Sequence, residues 1–292
     1  MVHLRFVFAD NSEHNITTFV PLCKRFAVLL VLSLCTSGAA VAGFERTTEP
    51  PRALIGGAGG WFTDPEDAFR RNPSFLAAVK GCSSTVFYHP SPFGLAQLSG
   101  GGVLVVLPTE YGPVACCGTT TGFSLYREVT GTAAASYRLN ESLAIGTALT
   151  IDHVSIARYG SAAAVEIDLG FSALLSEVCN WNVAVTNIGR ATLGSGKDPL
   201  PQFYSTGIEY APLPELHIVS ELVKEIRYPA SLGVSAVITP LDAFSISAGV
   251  CTEPSRFCGG VEVSAFSLRL GYAVLTHAEL GLSHIICCSF QF

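Results

Sequence analysis

His153 and Ser155 are the pair in this 292-residue chain that most resembles a catalytic site. They stand at i and i+2, so on an extended strand they share one face, as a general base and a hydroxyl nucleophile must. Hydrolysis of a lipid ester by such a pair also needs a third group to orient the histidine. The nearest acids on the following segment, Glu166 and Asp168, have the parity of the opposite face. The pair therefore reads as polar residues at a membrane interface, with a Ser/His lipid hydrolase as a remote alternative and no catalytic residues expected. His277 and His284 bracket a loop without a third ligand at useful spacing, and no Cys/His spacing suits a metal. Neither a metal nor another cofactor is expected. The run Gly56-Gly57-Ala58-Gly59-Gly60 lacks the Lys-Ser/Thr that a phosphate-cradling loop requires. Of the ten cysteines, Cys251 and Cys258 flank a turn, and the sequence leaves open whether they bridge it.

The elements that would carry these residues are set by composition first. Apolar residues make up 49% and charged residues only 14% of the chain, against about 25% charged in an average soluble domain. That excludes disorder and coiled coil. A net charge of −6 with no Lys/Arg stripe excludes a nucleic-acid partner. Residues 24–42 carry basic Lys24 and Arg25, an apolar stretch over 26–34, and Ala40-Val41-Ala42. This pattern predicts a secretory signal peptide cleaved near Ala42, behind a polar leader over 1–22. Its apolar run is shorter than the roughly 20 residues that span a bilayer.

Beyond residue 82 the chain alternates with period two. Leu143, Ile145, Thr147, Leu149 and Ile151 alternate with Ala144, Gly146, Ala148 and Thr150. The same holds for 165–172, 232–238, 244–250 and 267–274. One face is bulky and apolar; the other is Gly, Ala and Ser. A soluble sandwich would instead offer water a face rich in Lys, Thr and Glu. Tight turns at 140–141, 176–180, 212–214 and 240–242 alternate with longer connections at 157–161, 189–201, 227–230 and 252–257. That rhythm predicts an all-β, transmembrane antiparallel barrel of about 14 strands, 12 being the alternative, with its short turns on the periplasmic side. Most tyrosines and Trp181 lie near strand ends and read as interfacial girdles. The chain closes on a strand with Ile286, Phe290 and Phe292 on one face, the ending that barrel assembly machinery reads. The expected division is 1–42 leader and signal peptide, 43–81 N-terminal hatch, and 82–292 barrel.

The hatch segment has its own signals. Asp64 is placed to cap a helix that Pro65 begins, with Glu66 and Asp67 in its first turn. Pro73 stops that helix by Asn72, and Asn72 is placed to cap a second short one. The segment GGAGGWFTDPEDAFRRNPSFLA resembles the N-terminal motif of FadL-like and PorV/PorQ-like outer-membrane proteins, through Gly56, Gly57, Asp64, Asp67, Asn72 and Pro73, with Ser74 where the family has alanine. AGVCTEPS, LRLGYAV and HAELGLSH near the C-terminus are similar to the PorV branch. The resemblance implies a monomeric 14-stranded barrel in the Gram-negative outer membrane, its N-terminal segment folded into the lumen as a plug. The FadL-like branch implies passage of hydrophobic small molecules without chemistry. The PorV-like branch implies a part in type IX protein secretion, with the C-terminal domains of exported proteins as partners.

With the oily face toward lipid, parity sends Glu166, Asp168, Glu209, Glu221, Glu225, Glu262 and Arg269 into the lumen. Six acids then face one base, and buried charges need partners. Arg70 and Arg71 of the hatch are the expected ones.

Overall fold

The computed structural model describes residues 49–292 except Gly56, Gly196, Lys197 and Ala278. The leader, the cleavage site at Ala42 and Gly56 of the glycine motif lie outside the described residues.

Period-two alternation leaves one face of every strand to be covered, and the chain covers both by closing on itself. Among the described residues, fourteen strands form a closed antiparallel barrel. They are β1 (Ser83–His89), β2 (Gly100–Leu107), β3 (Val114–Gly122), β4 (Tyr126–Arg138), β5 (Leu143–Ile156), β6 (Gly160–Ser176) and β7 (Cys179–Thr186). A two-residue hairpin, β8 (Thr192–Leu193) with β9 (Asp198–Pro199), stands outside the wall. The wall resumes with β10 (Phe203–Leu213), β11 (Leu216–Glu225), β12 (Ser231–Leu241), β13 (Phe244–Cys251), β14 (Arg256–Ala265), β15 (Leu268–His277) and β16 (Gly281–Gln291). β16 pairs with β1, from Ser83 opposite Gln291 to Tyr88 opposite Ile286, so no sheet edge is left at the seam.

Both chain ends of the barrel lie at one rim, where the turns at 177–178, 214–215, 242–243 and 266–267 are short. The opposite rim carries the longer connections, the longest over 187–202. The bulky set of each strand faces outward: Ile145, Leu149, Ile151, Val165 and Ile167 are each more than two-fifths exposed. A contiguous apolar skin of this extent belongs in lipid, the only solvent that wets it without cost. No described helix is long and apolar enough to cross a membrane, and the strands do the spanning.

The lumen is not empty. The segment before β1 forms two single helical turns, α1 (Pro51–Leu54) and α2 (Pro65–Ala68), then a 3-10 turn over Pro73–Ala78. Asn72 caps that turn by accepting the Ser74 N–H at 3.0 Å. Asp64 departs from the expected role: it sits in the left-handed region at φ 47° and caps nothing with its side chain. Its carboxylate is taken by two arginines instead. Single turns of four residues cannot hold themselves in water, and packing against the wall fixes these. Phe69 and Leu76 meet Phe87, Leu104, Val106 and Cys117 of β1–β3. Ile55 and Ala58 meet Val237, Ala273 and Ile285 across the barrel.

Candidate functional site

The hatch and the small-residue face of the wall together form the candidate site. They meet toward the rim that carries the chain ends, and they are joined by charge in both directions. From the hatch outward, Arg71 pairs with Glu221 of β11, and Arg52 pairs with Glu262 of β14 while donating to Ser245 of β13. From the wall inward, Arg269 of β15 pairs with Asp64 and reaches Glu66 at 3.2 Å and Asp67 at 3.3 Å. Arg52 also pairs with Asp64 inside the hatch. The expectation set six wall acids and one wall base, Arg269, in the lumen, with Arg70 and Arg71 of the hatch answering the acids. Arg71 does so, Arg52 joins it, and the wall's own base answers three hatch acids. Arg70 is buried, and its interactions are made inside the barrel. Arg52 was not legible as a partner because nothing in its local sequence marks it.

Around the seam the hatch holds the first and last strands at once. Thr85 of β1 donates to Asp67 at 3.1 Å and shares a hydroxyl contact with Ser289 of β16 at 2.8 Å, and Gln291 donates to Glu66 at 2.8 Å. Burial pushes the Asp67 carboxyl well above the usual aspartate range, and the neighbouring carboxylates of Glu66 and Glu262 push it further. Burial raises Glu66 as well.

Glu209 of β10 serves the backbone of the hatch. Its two oxygens accept the N–H groups of Trp61 at 2.9 Å and Phe62 at 3.1 Å, and Asn180 donates to it at 3.3 Å. The approach is close enough that a Cβ on Gly60 would stand 2.5 Å from that carboxylate. On the neighbouring strands β7 and β6, Asn72 donates to the carbonyls of Val183 and Phe171, and Ser74 meets the Ser172 hydroxyl at 2.7 Å. Pro73 lies over Gly146.

Glu166, Asp168 and Glu225 face the lumen nearer the opposite rim. Asp168 accepts the Asn187 N–H at 2.8 Å and Glu225 holds Arg227. Asn187 begins the 187–202 connection, which folds inward over β5 and β6. There Val154, Ala164 and Leu200 form an apolar cluster with Leu193 and Ala191. Tyr126 belongs to this cluster and points inward with its hydroxyl on Glu128, so it is no part of an interfacial girdle. Ile286, Phe290 and Phe292 lie on the outer face, each about half-exposed or more.

Two features bear on passage. A cavity of about 10 Å³, room for about one water, lies between Gly57, Arg71 and Phe75 of the hatch and Asn182, Glu209 and Glu221 of the wall. The second is a break in the wall. β6 pairs with β5 from Gly160 to Ala173 but with β7 only from Leu169 onward. Over Gly160–Asp168, roughly 30 Å of strand at about 3.3 Å per residue, no strand is laddered to the other edge of β6 among the described residues, and the chain after β7 covers part of that edge, Ile188 N–H donating to the Ile167 carbonyl at 2.9 Å.

His153 and Ser155 do share the outer face. The ladder sets Val129 and Ala163 beside His153, and Arg127 and Ser161 beside Ser155. No described carboxylate lies on that face within reach of the imidazole. His284 hydrogen-bonds Tyr272 at 2.7 Å, and no cluster of metal-ligating side chains occurs among the described residues.

The barrel has fourteen strands, a plugged lumen and both ends at one rim, and it superposes on known outer-membrane channels. The toluene transporter TbuX of Ralstonia pickettii is similar with a TM-score of 0.62, at 12% identity over 86% of this chain and 100% of that one. The CymD monoaromatic hydrocarbon channel gives 0.63, at 12% identity over 86% and 99%. A Pseudomonas aeruginosa FadL homologue gives 0.60, at 10% identity over 86% and 99%. This is the FadL-like outer-membrane barrel fold. At such identities the likeness is one of fold. No family model and no curated protein matches the chain.

Proposed function

We propose that this protein passes small hydrophobic molecules across the outer membrane without chemistry, exchanging them between lumen and lipid at the break beside β6. The break is the observation that carries this reading. Backbone groups unpaired in hydrocarbon cost several kcal/mol each, so a strand edge without a ladder partner belongs where water or protein reaches it, as Ile188 reaches Ile167 here. Here the lumen side of that edge is floored by Val154, Ala164 and Leu200, an apolar surface away from the hatch. The hatch, held by ionic and backbone contacts, closes the axial route. The fold neighbours that transport toluene and other monoaromatic hydrocarbons support this cargo class.

In this reading the chain is a monomer. It loses its leader near Ala42, contacts outer-membrane lipid through its bulky face, and is inserted by assembly machinery that reads Ile286, Phe290 and Phe292. Gly57, Asp64, Asp67, Asn72 and Pro73 belong to the hatch that closes it, and His153 and Ser155 are interfacial polar residues rather than a hydrolase. The test is uptake of labelled toluene by cells expressing the full chain, beside a polar solute of similar size. Faster uptake of toluene alone is expected. Equal rates with and without the protein overturn the proposal. The densely filled hatch favours a second reading, a PorV-like barrel that binds exported C-terminal domains. Retention of such a domain by cells that gain no uptake supports it.

A further inference from the structure

Cys251 and Cys258 are unlike the other six described cysteines, all eight of which are free thiols in this structure. They lie on adjacent strands, diagonal to each other and offset by two residues, with Cys258 opposite Gly249 and Cys251 opposite Arg256. Both have the parity of the lumen face, shared with Ser245 and Ser247 on β13 and with Glu262 on β14. Cys258 is buried and Cys251 half-buried, and the two thiols interact. None of the other six has a cysteine on a neighbouring strand within two residues of its own register position. Cys116 and Cys288 face outward, Cys117 and Cys287 lie in the apolar cluster around Phe69 and Leu76, Cys82 meets the chain end at Phe292, and Cys179 lies opposite Tyr210.

The surroundings suit thiol chemistry. Arg256, directly across the ladder from Cys251, brings a guanidinium to the thiol, and its Nε–H has no hydrogen-bond acceptor among the described residues. A cation there complements the thiolate, the form that attacks a disulfide. Cys251 ends its strand and only the turn 252–255 separates it from β14, so the pair sits where the backbone can close the gap to a bonded S–S length of about 2.05 Å. The hairpin also bears on the hatch. Cys258 packs in the same cluster as Ile55, and a Cβ on Gly260 of that strand would meet the Ile55 side chain at 2.6 Å.

We propose that Cys251 and Cys258 form a disulfide clasp across the outer ends of β13 and β14, fixing the hairpin against which Ile55 of the hatch rests. The oxidant is a periplasmic dithiol oxidase acting before or during insertion, the redox setting in which disulfides persist. The Cys251 thiolate attacks the oxidase disulfide and displaces one of its sulfurs as a thiolate. The Cys258 thiolate, its proton released to solvent, attacks the Cys251 sulfur of the mixed disulfide and displaces the second. Two thiols become one S–S bond, and the oxidase leaves as the dithiol, having taken up two electrons and two protons. The cargo plays no part in this step.

The full chain is isolated from outer membranes without reductant, alkylated in denaturant and digested with trypsin, which cuts after Arg256. A peptide ending at Arg256 is expected to be joined to one beginning at Phe257, two hydrogens lighter than the sum of its parts and lost on reduction. Two fewer cysteines are alkylated than in the reduced sample. Cys251→Ser and Cys258→Ser each abolish the linked peptide and restore one alkylated thiol. In the wild type, reduction speeds proteolysis of the hatch, while neither serine variant responds. Full alkylation of both cysteines in the unreduced protein overturns the proposal, as does a linkage of either to another cysteine. Retention of copper by two reduced thiols also overturns it, in favour of a soft-metal site.

Discussion

Gly170 and Asn72 meet so closely that a Cβ on the glycine would stand 2.0 Å from the Asn72 Oδ1. Gly146 lies directly opposite Gly170 on the next strand, and a Cβ there would come within 2.3 Å of the Pro73 backbone. Two glycines side by side thus cut a flat seat in the wall for residues 72–74. Gly170→Ala is expected to lift the hatch from this seat, costing about 1–3 kcal/mol as overpacking does. Proteolysis of the hatch accelerates while the barrel keeps its heat-modifiable gel mobility. Gly131→Ala is the control, because a Cβ there meets nothing within 4 Å. Equal protection in both variants would show that the glycine pair seats nothing.

Arg269 is the base to which Asp64, Glu66 and Asp67 all turn. Removing one partner of a buried charge pair is strongly destabilising, about 3–5 kcal/mol, because the other charge stays buried. Arg269→Met should therefore loosen the hatch more than any single acid-to-amide change. Adding Glu66→Gln and Asp67→Asn to it should recover part of the loss. A double-mutant cycle read by hatch proteolysis measures the coupling. Strict additivity would mean that the three acids do not depend on this arginine.

Seating of the hatch is also predicted to depend on pH. Asp67 is raised by burial and then by the carboxylates of Glu66 and Glu262, with Thr85 and Arg52 opposing, and Glu66 is raised by burial. A carboxyl raised in the seated state holds its proton there, but loses it at about 3.9 (Asp) or 4.3 (Glu) once released to water. Its contribution to seating is complete below those values and is lost as pH rises through the raised ones. Hatch proteolysis should quicken as pH rises above that range. Asp67→Asn, which cannot ionise, should flatten the profile. Faster cleavage on acidification would contradict the sign.

Leu200 provides the test of the β6 break. It is buried against Val154 and Ala164 on the lumen side of the unpaired strand. Leu200→Asp places a charge on the only path of apolar surface we assign to the cargo, and uptake of toluene should fall toward the rate without protein. Leu200→Met, similar in volume, should leave uptake near the wild-type rate. The hatch, more than 100 residues away in sequence, should keep its protease resistance in both.

The sequence by itself determined the wall. Strict alternation of bulky with small residues, tight turns at one rim with longer connections at the other, and an aromatic last strand are local patterns. Backbone geometry converts them directly into strands with two unlike faces. The parity of Glu209, Glu262 and Arg269 was legible for the same reason. Only the tertiary structure decided how the lumen is filled. Arg52 finds Glu262, Arg269 finds Asp64, and Gly170 makes room for Asn72 across separations of roughly 100 to 200 residues. Asp64 read as a cap because capping is a local habit, yet Arg269 of the distant wall and Arg52 of the hatch claim its charge. A four-residue helix has no stability of its own, so its side chains go where the closed wall offers partners. That wall exists only once its first and last strands have met.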